Sequence, residues 1–272
     1  MARVACLVFV PMLVGTASAH DLWLIPPAAP KAKLVVQAAV GMDFPNSEFA
    51  PDTERYPRKF IVRPDGTQSP LKSAGKDGMS AWLEGEAAPG INVIAVETAP
   101  KILALDADRF NEYLVTDGLP HIFRLRAKEK TLNQPAKERY RKSPTALAMI
   151  GPGKNGAWDK PLDLPLQIVP LQNPFERKVG DTIRVRVYFQ KKPLADANLG
   201  WQHPGDGDTA RGTVRTNTKG EALIPIARAG LITIRLTHMT RPKMPDYEWE
   251  SFWTTLTFRV PGLAAVAPEK HE

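Results

Sequence analysis

The strongest constraint on the fold is a strict alternation of apolar and polar residues from Thr182 to Phe189. Ile183, Val185 and Val187 lie on one face of this segment if it is extended, while the two arginines between them lie on the other. A period of two is typical of a β-strand that buries one face and leaves the other in water. The segment therefore predicts a sheet with one solvated side.

Proline and glycine divide the chain into short segments. The sequence holds 26 prolines and 19 glycines among 272 residues, which favours strands and turns over long helices. From residue 166 to 260, short apolar runs alternate with turn signals, as in the roughly seven strands of an immunoglobulin-like sandwich. We therefore predict a mainly β fold of two β-sandwich domains, of which the C-terminal one is immunoglobulin-like.

The N-terminal half is also β-rich, with one interruption. Phe110, Tyr113 and Leu114 fall at helical spacing behind Asp106, which is a suitable N-cap. The charged stretch that follows, as far as Ser143, is interpreted as part of the same small helical insertion. The predicted division is a signal peptide at 1–19, an N-terminal β-rich domain with the helical insertion at 20–150, a linker at 151–165, the immunoglobulin-like sandwich at 166–260 and a disordered tail at 261–272.

The first 19 residues have the features of an export signal. The charge of Arg3 precedes an apolar run from Val4 to Val14, and small residues stand at Ala17 and Ala19, the positions that a signal peptidase reads. We expect cleavage after Ala19, so that the mature protein is periplasmic or secreted.

Charge and cysteine content narrow the range of partners. Lysine and arginine exceed the acidic residues by a formal +7, but they are scattered and no nucleic-acid module accompanies them, so no nucleic-acid partner is expected. The only cysteine, Cys6, lies in the signal, which leaves the mature chain without disulfides or thiolate ligands. No later segment approaches the roughly 18 apolar residues of a spanning helix, so no membrane span is expected.

Cleavage after Ala19 would make His20 the first residue of the mature protein. Its α-amine and imidazole could then close a chelate ring on one transition-metal ion, for which Ni²⁺, Co²⁺ and Cu²⁺ are candidates. His238, near the end of an apolar strand, is the predicted partner, with Asp21 as a nearby oxygen donor and His121 as an alternative third nitrogen. A histidine at this position can also occur by chance, in which case it binds no metal.

Catalytic motifs are missing from the sequence. It contains neither a Gly-x-Ser-x-Gly elbow nor a His-Glu-x-x-His pair. The sequence therefore predicts a protein that is not an enzyme.

Several segments, taken in their order, resemble one bacterial family. This is the NikM-like family of exported proteins, the periplasmic or substrate-specific component of nickel and cobalt uptake. The resemblance extends over nearly the whole mature chain, and the segments that carry it include Ala19–Leu24, Phe110–Leu114, Glu138–Lys142, Leu164–Pro170 and Leu236–Met239.

The resemblance implies a periplasmic β-rich protein that handles a transition metal. Transferred to this sequence, it supports His20 and His238 as ligands. One departure is that nickel permease components continue into transmembrane helices, which this sequence lacks. A soluble role in binding or delivery therefore fits better than transport itself.

These observations lead to one main hypothesis and two alternatives. The main one is a periplasmic protein that captures Ni²⁺, Co²⁺ or Cu²⁺ at its mature N-terminus and passes it to a membrane uptake system. One alternative is a copper oxidase that uses the same amine and imidazole to act on a polymer, which requires a flat substrate platform around the metal. The other is an adhesion or assembly module that binds no metal.

Overall fold

The computed structural model of the protein describes residues 20–205 and 210–262. The predicted signal peptide, and all but the first two residues of the predicted tail, lie outside this range. The described residues form two α-helices, α1 (Ala107–Thr116) and α2 (Pro120–Lys128), and two short 3₁₀ helices, Thr53–Arg55 and Pro174–Glu176. The strands are β1 (Asp21–Ile25), β2 (Lys33–Gly41), β3 (Arg58–Val62), β4 (Gln68–Pro70), β5 (Lys72–Asp77), β6 (Ser80–Glu86), β7 (Gly90–Glu97), β8 (Lys101–Leu105), β9 (Ala136–Lys142), β10 (Thr145–Ile150), β11 (Leu166–Pro170), β12 (Thr182–Phe189), β13 (Lys192–Pro193), β14 (Asn198–Gln202), β15 (Arg211–Arg215), β16 (Glu221–Pro225), β17 (Gly230–Thr240) and β18 (Trp249–Val260).

The strands of the described residues form three sheets. The central sheet has ten strands, eight of them in the order β15-β14-β17-β18-β10-β7-β3-β4, while β9 pairs with both β18 and β8. The N-terminal sheet has the order β1-β2-β6-β5. The C-terminal sheet contains β11, β12, β13 and β16. The mainly β prediction is confirmed, and the sheets pack as layers of a sandwich.

The middle strands of the central sheet, β7, β10 and β18, bury both of their faces. In β7, Ile91 and Val93 join the core against the C-terminal sheet, whereas Ile94 and Val96 join the core against the N-terminal sheet. Side chains alternate between the faces of a strand, so a strand covered on both sides needs an almost continuous apolar run. The run from Gly90 to Val96 meets this requirement, since every residue in it is buried.

The helices close one end of the central sheet. The Asp106 carboxylate accepts a hydrogen bond from the Arg109 amide at 2.9 Å and caps α1, as predicted. Phe110 and Leu114 of α1 are fully buried in a cluster with Trp249 of β18. The helical insertion is thus confirmed over α1 and α2.

The charged stretch before Ser143 is a strand, so its assignment to the helical insertion was wrong. Strand β9 runs parallel to β18 and antiparallel to β8. Arg139 and Arg141 both contact the Glu250 carboxylate on β18, at 2.5 and 3.3 Å. Charges that resemble a solvated helix face in sequence are therefore paired across strands.

Strands from both sides of the predicted linker share the central sheet. From Gly230 to Thr240, β17 pairs with β18, and β18 pairs in parallel with β9 and β10 from the N-terminal half. The division into two domains stays a prediction. Within the described ranges, no helix has the length and apolarity that a membrane crossing requires.

Two leucine substitutions test the packing of the N-terminal sheet. Leu83 of β6 is fully buried, while Leu223 of β16 is 51% exposed. We expect Leu83→Ala to lower the free energy of unfolding by about 2–5 kcal/mol, because it leaves a cavity. Leu223→Ala is the matched control and should change it by about 0.5 kcal/mol or less. Urea denaturation measures both, and equal effects would contradict the layered core.

Candidate functional site

A concave cavity of about 440 Å³ lies beside His20. It opens between the strands β1 and β2, the segment around the first 3₁₀ helix, the strands β8 and β9, and the face of Trp253. Its wall combines aromatic side chains, among them Phe49, Tyr56 and Tyr140, with a few charged groups. A pocket of this size with a largely apolar wall and few polar groups is typical of a small-molecule site.

His20 is held at the cavity by a carboxylate. Its Nε2 lies 2.8 Å from Oε2 of Glu48, and its ring meets the ring of Phe49 edge-on at 5.3 Å. An ionised carboxylate can only accept a hydrogen bond, so Nε2 carries the proton and the lone pair of the neutral imidazole is on Nδ1. The same contact lowers the pKa of Glu48 below its usual value, with a further contribution from the Met42 amide.

The loop that carries Glu48 folds back over the end of β2. The Glu48 amide donates to the Val40 carbonyl at 2.7 Å, and Val40 forms an isolated bridge with Phe49. This close return depends on Gly41, because a Cβ at that position would lie 2.4 Å from the Asn46 carbonyl oxygen. The glycine therefore allows the loop to place a carboxylate next to His20.

Lys142 fixes the main chain of His20 from the other side. Its ammonium group donates to the His20 carbonyl and lies 4.5 Å from the ring centroid of Trp253, which is its direct partner in the pairing of β9 and β18. Burial lowers the pKa of Lys142 to about 8, although Asp21 and Asp117 favour its charged form. This lysine thus contributes a buried cation to the cavity wall.

Asp21 and Asp117 are tied to one arginine. Nε of Arg235 lies 2.5 Å from Oδ2 of Asp21, and its Nη2 contacts the carboxylate of Asp117. Burial raises the pKa of Asp117 to about 6, against the opposing effect of Arg235. Together with Lys142 and Glu138, these three residues form what we call the charged cluster, which joins β1, β9, β17 and the end of α1.

Glu138 is the acidic group of the charged cluster that lines the cavity. It is 2% exposed, and its Oε2 lies 3.3 Å from the hydroxyl of Tyr113, whose ring stacks on Trp253 at 5.6 Å. Burial raises the pKa of Glu138 to about 7, although hydrogen bonds from Ser251 and Tyr113 oppose the shift. The wall of the cavity thus contains a buried carboxyl group with a raised pKa beside a lysine with a lowered pKa.

His238 and His121 lie elsewhere. On β17, His238 falls on the face opposite to Arg235, and its ring meets that of Phe189 at 4.5 Å on the side of the C-terminal sheet. Burial, together with the neighbouring charge of His121, lowers its pKa to about 4, so His238 is neutral at pH 7. His121 is exposed on α2. The structure brings these two histidines near each other but not to His20.

The predicted ligands therefore do not form one cluster. The Asp21 carboxylate is paired with Arg235, so it is not an open oxygen donor. Among the residues that the structure describes, no group of three or more histidine, cysteine, aspartate and glutamate side chains is arranged to hold a metal ion. Metal binding through these four residues stays a prediction.

Sequence reasoning missed the residues that surround His20. Glu138, Tyr140 and Lys142 all line the cavity, and their spacing of two is the signal that would have placed them on one face of a strand. The segment is strongly charged, and this obscured the alternation that is typical of a strand. For Glu48 no local pattern exists, because the contact depends on a loop that returns over β2.

The raised pKa of Glu138 predicts how stability changes with pH. The folded protein keeps the Glu138 proton up to about pH 7, whereas the unfolded chain releases it near pH 4.5, so stability is lost as the pH rises through this interval. Glu138→Gln cannot titrate. We therefore expect its stability relative to the wild type to increase by about 1–3 kcal/mol between pH 4.5 and pH 8, as measured by urea denaturation. Exposed Glu86→Gln is the control, and a constant difference between Glu138→Gln and the wild type would contradict the assignment.

Comparisons with known proteins place the chain in a family. Residues 17–240 match the family model described as a domain of unknown function, DUF4198. No curated protein sequence matches the chain. Among solved structures, the chain is similar to the D0-D1 domain of intimin at 11% identity and a TM-score of 0.20, over 88% of this chain and 98% of that one, which is too distant to support an inference. Because the family model covers most of the sequence, the chain belongs to the DUF4198 family.

Proposed function

We propose that this protein is an exported metal-binding protein that holds one Ni²⁺, Co²⁺ or Cu²⁺ ion at its mature N-terminus. After cleavage behind Ala19, the α-amine and Nδ1 of His20 would be the two ligands. In this role the protein would deliver the ion to a membrane uptake system, as the resemblance to NikM-like proteins suggests. The observation that carries the proposal is the 2.8 Å contact between Nε2 of His20 and the Glu48 carboxylate.

This contact suits a chelating histidine for two reasons. The amine and Nδ1 of a terminal histidine close a six-membered ring with a metal ion, so Nδ1 is the nitrogen that must carry the lone pair. Histidine ligands in metal sites almost always donate their other N–H to a carboxylate or a carbonyl, which fixes the tautomer and the direction of the ring. Glu48 would serve as this orienting carboxylate.

The surroundings favour a carrier over an oxidase of polymers. His20 lies at a concave cavity, whereas an enzyme that acts on a polymer surface needs a flat platform. The Lys142 ammonium at the His20 carbonyl holds the main chain in place. Its charge would oppose a bound cation, and the Glu48 carboxylate compensates for it.

The first test compares two forms of the N-terminus. We expect protein that begins at His20 to bind Ni²⁺ at least tenfold more tightly than protein with one extra residue before it, because the extra residue converts the α-amine of His20 into an amide, whose nitrogen is a ligand only after it loses its proton. Isothermal titration calorimetry measures the affinities, and mass spectrometry confirms the first residue of each form. Equal affinities would refute the chelate.

The second test concerns Glu48. We expect Glu48→Gln to weaken Ni²⁺ binding by about 10- to 100-fold, the usual effect of losing an orienting partner, without lowering the thermal midpoint. Glu54→Gln is the matched control, since Glu54 is exposed in the following 3₁₀ helix. Unchanged affinity in Glu48→Gln would show that this carboxylate does not orient the ligand.

A further inference from the structure

We infer that Met42 is a further ligand of the ion at His20 and that its thioether makes copper, held as Cu⁺, the preferred ion. This inference rests on the proposed binding of an ion at His20. It goes beyond that proposal by naming the ion and the residue that selects it.

The pairing of β1 with β2 places Met42 next to His20. Leu22 pairs with Val40, and both side chains line the cavity. Two residues further along the same antiparallel register, His20 lies across from Met42. Side chains repeat their direction at every second residue of a strand, so His20 and Met42 belong to the same face. The Cβ atoms of residues opposed in this way are about 4.5–5.5 Å apart.

The Glu48 carboxylate holds the two residues side by side. Its Oε1 accepts a hydrogen bond from the Met42 amide at 2.7 Å, while its Oε2 lies 2.8 Å from Nε2 of His20. One carboxylate thus fixes both the main chain at Met42 and the direction of the imidazole. A methionine side chain has three rotatable bonds, so its sulfur can turn toward an ion while the main chain stays in place.

A thioether changes which ion the site prefers. Imidazole suits zinc, copper, iron and nickel, whereas methionine sulfur is a soft ligand that favours Cu⁺. Copper is therefore the ion that both side chains accept. The resulting ligand set consists of an amine, an imidazole and a thioether, so it requires neither a second histidine nor a carboxylate.

The surroundings of His20 provide an independent observation. Three large apolar side chains are exposed at this loop: Met42 by 52%, Phe49 by 48% and Met79 by 59%. The Phe49 ring meets the His20 ring at 5.3 Å, and the Met79 carbonyl accepts a hydrogen bond from Ser47 at 2.7 Å. Exposed apolar groups that gather in one place usually mark a binding site. Apolar neighbours limit the access of water to an ion and so favour the lower charge of Cu⁺.

The first experiment compares Met42→Leu with the wild type. Both proteins begin at His20 and are titrated with Cu⁺, kept reduced by ascorbate under nitrogen, in competition with bicinchoninate. We expect Met42→Leu to weaken Cu⁺ binding at least tenfold and to keep the Ni²⁺ affinity within about twofold, because leucine preserves the volume of methionine and lacks its sulfur. Met244→Leu is the matched control, since Met244 is 49% exposed in the loop between β17 and β18.

X-ray absorption at the copper K edge gives a readout that a merely structural role of Met42 would not change. Residues 20–272 contain no cysteine, so a sulfur neighbour of the bound copper must be a methionine. We expect this sulfur neighbour in the wild type and not in Met42→Leu. Unchanged Cu⁺ affinity in Met42→Leu, an equal loss of Cu⁺ and Ni²⁺ affinity, or a sulfur signal that is missing from the wild type or survives the substitution would overturn the inference.

Protein with one extra residue before His20 separates failure of this inference from failure of the chelate. Equal Ni²⁺ affinities of the extended and mature forms would refute the chelate, whatever the effect of Met42→Leu. If Cu⁺ binding still depended on Met42 in both forms, the imidazole and the thioether would be the ligands. A confirmed chelate without any effect of Met42→Leu on Cu⁺ would overturn the role of Met42 alone.

Discussion

The interaction on which the site depends is the double ion pair of Arg235 with Asp21 and Asp117. One guanidinium group joins the first strand, the end of α1 and the middle of β17, three elements that are far apart in sequence. Removing one partner from such a buried pair costs several times more than an exposed pair contributes, since it leaves an uncompensated charge. The start of the described chain is thereby held in a single position, with His20 next to the cavity.

The buried threonine side chains of β18 position the neighbouring strand, just as its apolar side chains do. On β18, Leu256 and Phe258 face the C-terminal core, while Thr255 and Thr257 face β1. The Thr255 hydroxyl donates to the Leu22 carbonyl at 2.8 Å. Buried hydroxyl groups that bond to main chain give a strand one preferred register, so β1 is specified by hydrogen bonds as well as by packing.

The fold was more predictable than the site. Alternation located β12, because one of its faces lies in a core, whereas the long strands β17 and β18 are recognisable by their apolar runs. It failed for β9, where charged side chains pair across strands. The proposed ligand His20 stands out by its place behind the predicted export signal, but its contact with Glu48 spans 28 residues through a loop without a pattern. Tertiary contacts of that kind leave no periodic trace in a sequence.

The central position of β18 determines how the chain can be divided into fragments. Its twelve residues have neighbours from both halves of the polypeptide, β17 on one side and β9 followed by β10 on the other. Separating the halves would leave one edge of β18 without its hydrogen-bonding partners. A long unpaired strand edge of this kind promotes association between chains. Fragments made for expression should therefore keep both halves in one polypeptide.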